Sequence, residues 1–222
     1  GGKYNNFIVG GCQYSDITVF SFHPVKIITT AEGGVATTNS EILGKRMRLF
    51  NSHGITRDQN MMVKPQNNAL YYQQILLGFN YRMTELQAAL GTSQLERVDE
   101  LVAKRHLLKK RYDSNLIDLP IELPYQSKFC YSSLHLYPIK IGINNKKNRD
   151  IIFDKLREND IGVNVHYIPI HTHPYYQDLG FKYGDFPKAE NYYENAITLP
   201  LFPSMTFDQQ DYIINTLQGV FK

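Results

Sequence analysis

The sequence predicts an α/β chain in two parts: the remainder of a larger α/β domain over residues 1–96, then a small α+β domain over 97–222 that includes the linking helix. Three observations lead there. Short β-branched and aromatic runs bounded by glycine and proline read as strands. Segments with apolar residues at helical spacing alternate with them. A long helical stretch from Gly91 to Leu116 gives way beyond Asp118 to Pro120, Pro124 and the polar Gln126-Ser127-Lys128, a shift from one folded part to the next.

The chain is organised around Ile17 to Thr38. Ile17 to Phe22 reads as a strand, and His23-Pro24 stops it, because proline donates nothing to a ladder and restricts the residue before it. Lys26 sits in the corner that follows. Ile27 to Thr30 and Val35 to Thr38 read as a hairpin joined by Ala31-Glu32-Gly33-Gly34. Flanked by Val25, Ile27 and Ile28, the ammonium loses hydration if it turns inward, which favours the neutral amine, a nucleophile toward an aldehyde. Turned outward, it is a lysine with its stem packed on isoleucines. Ser21, five residues upstream on the same frame, could take a phosphate at the other end of one small planar cofactor.

Thr38 to Gly54 reads as a helix, entered through a Thr38/Glu41 capping box and lined inside by Leu43, Met47 and Phe50. Ile55 to Leu77, with Asn60, Pro65, Gln66, Asn67 and Asn68, reads as a long loop that could carry binding residues. Thr84 and Gln87 form a second capping box, which places Asn80, Tyr81 and Arg82 just before a helix N-terminus, where anions are favoured. The helical period then runs through Leu95, Val98, Leu101, Val102, Leu108, Tyr112 and Leu116, with a break or bend expected at Gly91-Thr92-Ser93. Glu96, Arg97, Lys104, Arg105 and Lys109 to Arg111 are assigned to its wet face.

In the second part, Ser132 to Ile141 alternates as a strand with Leu134 and Leu136 on one side, and Pro138 suggests an edge or a bulge. Asn148 to Asn159 reads as an amphipathic helix capped by Gly162, followed by a strand over Gly162 to Pro169 and a short helix around Ala189 to Ala196. A last helix begins at a Thr206/Gln209 capping box and buries Tyr212, Ile213, Leu217 and Phe221.

Composition narrows the function. With 222 residues and 42% hydrophobic content the chain can bury a real core. A net charge of +3 without a basic block indicates neither nucleic acid nor a membrane surface as a partner. No apolar run reaches membrane-spanning length. Cys12 and Cys130 lie far apart without metal or redox spacing, which suits a reducing, cytoplasmic setting. His166, His171 and His173 cluster in sequence but lack the carboxylates or thiolates of a metal site, so no metal is expected.

Residues 21–34, Ser-Phe-His-Pro-Val-Lys-Ile-Ile-Thr-Thr-Ala-Glu-Gly-Gly, closely resemble the lysine motif of the pyridoxal-phosphate-dependent nucleotide-sugar aminotransferases, the DegT/DnrJ/EryC1/StrS family. The resemblance implies the C-terminal part of a fold-type I aminotransferase, with pyridoxal 5'-phosphate carried by Lys26 and its phosphate contacted by Ser21. Leu77 to Gly91 is similar to a family motif that reaches across a dimer interface. By that likeness Asn80 contacts the cofactor phosphate of the other subunit, and Arg82, with Tyr81, contacts substrate or its diphosphate. His53-Gly54-Ile55-Thr56-Arg57 resembles the family's His-Gly segment at the substrate mouth. His166 to Gln177, which includes Tyr167, is similar to the branch of UDP-4-amino-4,6-dideoxy-N-acetyl-β-L-altrosamine transaminases on the route to pseudaminic acid. The implied reaction moves an amino group from glutamate to C4 of a 4-keto UDP-sugar in a homodimer.

The chain begins at Gly1 and runs straight into strand-like sequence, so an N-terminal truncation is expected. In the family, the carboxylate for the pyridine nitrogen, the ring-stacking group and a phosphate-binding turn precede this point, and Asp16 lies too near Lys26 in sequence to replace the first. Two classes therefore stay open, part of an active sugar aminotransferase or an inactive remnant that serves only in assembly.

Overall fold

A computed structural model of the chain describes residues 1–64, 68, 70–142 and 149–221. Pro65, Gln66 and Asn67 of the predicted loop, and Asn148 at the predicted helix start, lie outside them. The chain divides into two compact units, Gly1–Val98 and Asp99–Lys222.

The first unit opens with a small antiparallel hairpin, β1 (Lys3–Tyr4) and β2 (Phe7–Ile8). Its corner residues Asn5 and Asn6 both take left-handed φ, 46° and 68°, as a tight hairpin turn requires. β3 (Thr18–Ser21) pairs antiparallel with β4 (Gly34–Thr37), Thr18 opposite Thr37 and Ser21 opposite Gly34. The partner of β4 is thus β3, and the strand expected over Ile27 to Thr30 does not form. The reason lies in where the backbone bonds go. Lys26 N–H donates to His23 O at 3.0 Å, closing a turn, and Thr30 N–H donates back to Phe22 O at 3.0 Å. Residues 23–33 are therefore a loop pinned at both ends to the end of β3.

Helix α1 (Glu41–Phe50) starts two residues later than a Thr38 cap would require. Ser40 is its N-cap and accepts from Leu43 N–H, whereas Thr38 Oγ1 accepts from Ser40 N–H and donates to Asp16 O. The residues after it form a two-rung ladder, β5 (Ile55–Thr56) with β6 (Gln73–Gln74), which closes the long loop at its base; a 3₁₀ turn at Gln59–Met61 lies within it. α2 (Glu85–Glu96) carries the complete Thr84/Gln87 capping box. It continues without a break through Gly91 to Glu96, with Arg97 as its C-cap. Gly91 serves packing, since a Cβ there would lie 2.7 Å from Thr30 Cγ2. The side chain of Thr30, 1% exposed, thereby seats the Lys26 loop on α2.

In the second unit a three-stranded antiparallel sheet runs β10 (Ala196–Leu199), β9 (Tyr137–Ile141), β7 (Ile121–Glu122). A further short strand, β8 (Cys130–Tyr131), precedes β9. The inward positions of β9 are Tyr137, Ile139 and Ile141, the opposite phase from the Leu134/Leu136 reading. Pro138 is on the central strand. It is tolerated because β7 reaches only to the residues opposite Lys140 and Ile141, leaving Pro138 with a neighbour on one side.

The sheet packs with α3 (Val98–Leu116), α4 (Arg149–Glu158) and α7 (Phe207–Phe221) around one core that includes Leu108, Tyr112, Tyr137, Ile152, Leu156, Ile197 and Leu217. α4 ends in a Schellman motif: Ile161 N–H reaches Leu156 O, Asp160 N–H reaches Arg157 O, and Asp160 itself is left-handed at φ 56°. Asp160, not Gly162, is the capping residue. Gly162 to Pro169 contributes a single bridge, Asn164 to Thr198, in place of the predicted strand. The Thr206/Gln209 box caps α7, but Tyr212 is 52% exposed and uses its hydroxyl on Asn159 O. Arg105 is buried, contrary to its assignment to a wet face.

Two short helices, α5 (Pro174–Asp178) and α6 (Pro187–Asn195), complete the unit. A buried pair joins the turn before α5 to α6 and so fixes the chain between. His171 Nε2 lies 2.6 Å from Glu190 Oε1, which also accepts from Gly184 N–H at 2.8 Å and Phe186 N–H at 3.4 Å. Burial raises the Glu190 carboxyl, but the hydrogen bonds from His171, Gly184 and Phe186, with the His171 charge, together hold it below the usual carboxylate range. A group depressed in the folded state stabilises above its unfolded pKa, and that stability is lost as pH falls through the folded value. Thermal melts should therefore show Glu190→Gln less stable than the parent at pH 7, with the gap narrowing below about pH 4. A gap that is flat with pH would remove the carboxylate from this role.

Candidate active site

Lys26 lies in the pinned loop after β3, half-buried. Its neighbours are held by several independent bonds. Thr29 Oγ1 donates to Phe22 O and accepts from Ala31 N–H, each at 3.0 Å, and Thr30 Oγ1 donates to Glu32 O at 2.7 Å. Ala31 takes φ 64° so that the loop can return to β4. Ser21, at the end of β3, is exposed, and its Oγ accepts from His23 N–H at 3.4 Å, which leaves its own proton to give. A bonded loop thus carries one amine, half-buried, and follows one exposed hydroxyl with a proton to donate.

A second group of predicted residues meets on the segments around β5 and β6. Ser52 and Asn80 form a bridge; His53 N–H donates to Phe79 O at 2.8 Å and Tyr81 N–H to Asn51 O at 2.9 Å. The close approach depends on Gly54, at φ 69°, where a Cβ would fall 1.8 Å from Leu76 O. Gly54→Ala meets both obstacles, about 1–2 kcal/mol for a left-handed alanine and about 1–3 kcal/mol for the displaced backbone. Hydrogen exchange should show it: the amides of Ile75 and Leu76, which donate to Gly54 O, should lose protection. Unchanged protection there would refute the close approach.

These segments enclose an open cavity of about 430 Å³ lined by Ser52, His53, Ile55, Arg57, Tyr72 and Arg82. Of the predicted substrate residues, His53 and Arg82 face it. Tyr81, 73% exposed, stacks on Phe79 with centroids 4.8 Å apart, and Asn80 Oδ1 accepts from Arg82 Nη2 at 3.2 Å. Tyr72 was not foreseen; its place becomes visible only when β6 pairs with β5. In the second unit, His166 Nδ1 lies 2.9 Å from Thr198 Oγ1 and its ring meets Tyr167 edge-on, while Tyr167 is exposed. Among the described residues no cluster of three His, Cys, Asp or Glu is placed to hold a metal ion.

A model of the DegT/DnrJ/EryC1/StrS aminotransferase family matches residues 1–218. The chain belongs to this family. Among its relatives, the spore coat polysaccharide biosynthesis protein SpsC of Bacillus subtilis is 36% identical over 225 residues, covering 99% of this chain and 57% of the relative. The UDP-4-amino-4,6-dideoxy-N-acetyl-beta-L-altrosamine transaminase of Helicobacter pylori is 33% identical over 223 residues, covering 100% and 56%. The structure of Helicobacter pylori PseC, an aminotransferase involved in pseudaminic acid biosynthesis, superposes with a TM-score of 0.89 at 33% identity, over 100% of this chain and 57% of that one. Spr1654 of Streptococcus pneumoniae, solved in its PMP form, gives 0.88 at 33% identity over 99% and 56%. The α/β fold predicted from the sequence is the fold of these family members. The chain spans somewhat over half the length of the relatives it matches.

Proposed function

We propose that this chain is part of a nucleotide-sugar aminotransferase that transfers the amino group of glutamate to C4 of a 4-keto-6-deoxy UDP-sugar, for pseudaminic acid or a related surface glycan. The observation that supports the reading is the fold of the loop that carries the family motif: Lys26 N–H closes a turn on His23 O, Thr30 N–H returns to Phe22 O, and the exposed Ser21 hydroxyl lies five residues before Lys26. Residues 1–96 are read as part of the cofactor-binding domain and 97–222 as the small domain, in a cytoplasmic homodimer that needs neither nucleic acid nor membrane. No helix among the described residues is long and apolar enough to cross a membrane.

Pyridoxal phosphate, when bound, supplies an aldehyde for the amine and a ring that accepts the electrons of the broken bond. In this reading Lys26 Nζ holds the cofactor and, once freed, moves the proton at the carbon that bears the amino group. Ser21 Oγ donates to the cofactor phosphate, and Asn80 reaches the phosphate in the other subunit. Arg82, Tyr81 and His53 bind the substrate's anionic end, and His166 with Tyr167 contributes to substrate binding from the second unit. No residue of this chain is assigned the carboxylate that faces the ring nitrogen.

The test is amino transfer by the protein completed with the portion its relatives carry, supplied with glutamate and a panel of 4-keto-6-deoxy UDP-sugars. Formation of 2-oxoglutarate together with a 4-amino sugar is the expected result. Turnover of none of them, by protein that retains cofactor, would reject the substrate class.

A further inference from the structure

We propose that Arg57 and Arg82 form a two-guanidinium clamp for the diphosphate of a nucleoside diphosphate, with Tyr72 as the residue that positions Arg57. The inference rests on the reading of the site as a nucleotide-sugar site and adds to it a second cation and its support. Both arginines line the same cavity, and neither forms an ion pair with a carboxylate among the described residues. Each is nonetheless held. The Arg57 guanidinium lies over the Tyr72 ring, 5.7 Å from its centroid, and Arg82 Nη2 donates to Asn80 Oδ1 at 3.2 Å. Stacking on an aromatic face leaves the edge donors of a guanidinium available for a ligand.

The backbone that carries the two side chains is itself tied together. Arg57 follows β5, whose Ile55 and Thr56 pair with Gln74 and Gln73, so Tyr72 is the next residue along the partner strand. Arg82 follows the Ser52 to Asn80 bridge and the Tyr81 to Asn51 hydrogen bond. The backbone positions from which the two arginines extend are therefore fixed relative to one another by hydrogen bonds.

Two guanidiniums and the His53 imidazole, with no acidic group in the lining, call for a ligand of at least two negative charges. Planar guanidinium forks match phosphoryl oxygens bidentately. Ile55 and the body of Tyr72 add an apolar wall, which suits an anion joined to a carbon framework. A nucleoside diphosphate combines these features. The dicarboxylate of glutamate shares only the charge.

Calorimetric titration of the full chain with inorganic pyrophosphate, UDP and glutamate tests this. Pyrophosphate and UDP should bind, more weakly at high salt, and Arg57→Gln and Arg82→Gln should each weaken both by about 10- to 100-fold, the worth of a charge-assisted hydrogen bond. Arg57→Lys should recover part of the loss. Tyr72→Leu should weaken binding in the parent but add nothing to Arg57→Gln, since it acts only through Arg57. Circular dichroism confirms that each variant is folded. Parent-like affinity in a folded Arg57→Gln chain, absence of pyrophosphate and UDP binding, or glutamate displacing UDP would each overturn the clamp. Lys26→Ala separates the two readings, because it should leave pyrophosphate binding intact even though cofactor attachment is lost.

Discussion

Replacing Lys26 by alanine should abolish amino transfer, lowering the rate by at least about 10²–10⁴-fold, the usual worth of a positioned proton-transfer group. The loss should exceed that figure if covalent attachment of the cofactor also fails. Arginine should not rescue it, because a guanidinium stays protonated and cannot serve as nucleophile or base. Ser21→Ala should behave differently. It removes one donor from the phosphate end and should weaken cofactor retention while leaving the covalent link at Lys26 possible. The pair of variants separates chemistry from cofactor binding, and equal effects of both would argue that the loop is merely misfolded. The loop geometry speaks for separability, since its hydrogen bonds use the backbone of Phe22, Lys26 and Thr30 and the hydroxyls of Thr29 and Thr30, not the Lys26 side chain.

The largest effect on stability is expected at Arg105. This guanidinium is 4% exposed, and its Nη1 lies 3.0 Å from Leu134 O, 3.2 Å from His135 O and 2.8 Å from Leu201 O. Burial pulls its pKa down, yet an arginine remains charged. Leu134 holds φ 54° as its carbonyl meets this cation, so the arginine ties an otherwise irregular segment to the end of the sheet. Arg105→Leu keeps the bulk but leaves three carbonyls without their donor, and should cost about 3 kcal/mol or more in urea unfolding. Lysine should recover only part, because it lacks the fork. A cost below about 1 kcal/mol would show that water replaces the guanidinium.

Local chemistry was legible in the residues wherever neighbours in sequence decide it. The Thr84/Gln87 and Thr206/Gln209 boxes close as read, and Pro24 ends the strand before Lys26. Distant partners were not legible. Arg105 looks like a surface charge on a helical wheel, because its acceptors lie 29, 30 and 96 residues away. Ile27 to Thr30 has strand composition but spends its amides and hydroxyls on Phe22 and on its own turn. Gly162 looks like a helix cap by residue type, while the helix ends two residues earlier through Asp160. At the candidate site, His53 and Arg82 could be picked out by motif, whereas Tyr72 belongs to the cavity only through the register of β5 against β6.

The central claim is that Nζ of Lys26 holds pyridoxal phosphate, and peptide mapping tests it most directly. The protein is incubated with the cofactor, reduced with borohydride, digested and analysed by mass spectrometry. A phosphopyridoxyl group on the peptide containing Lys26, absent when glutamate is added before reduction, is the predicted result. The same group spread over surface lysines, with Lys26 unmodified, would contradict the account.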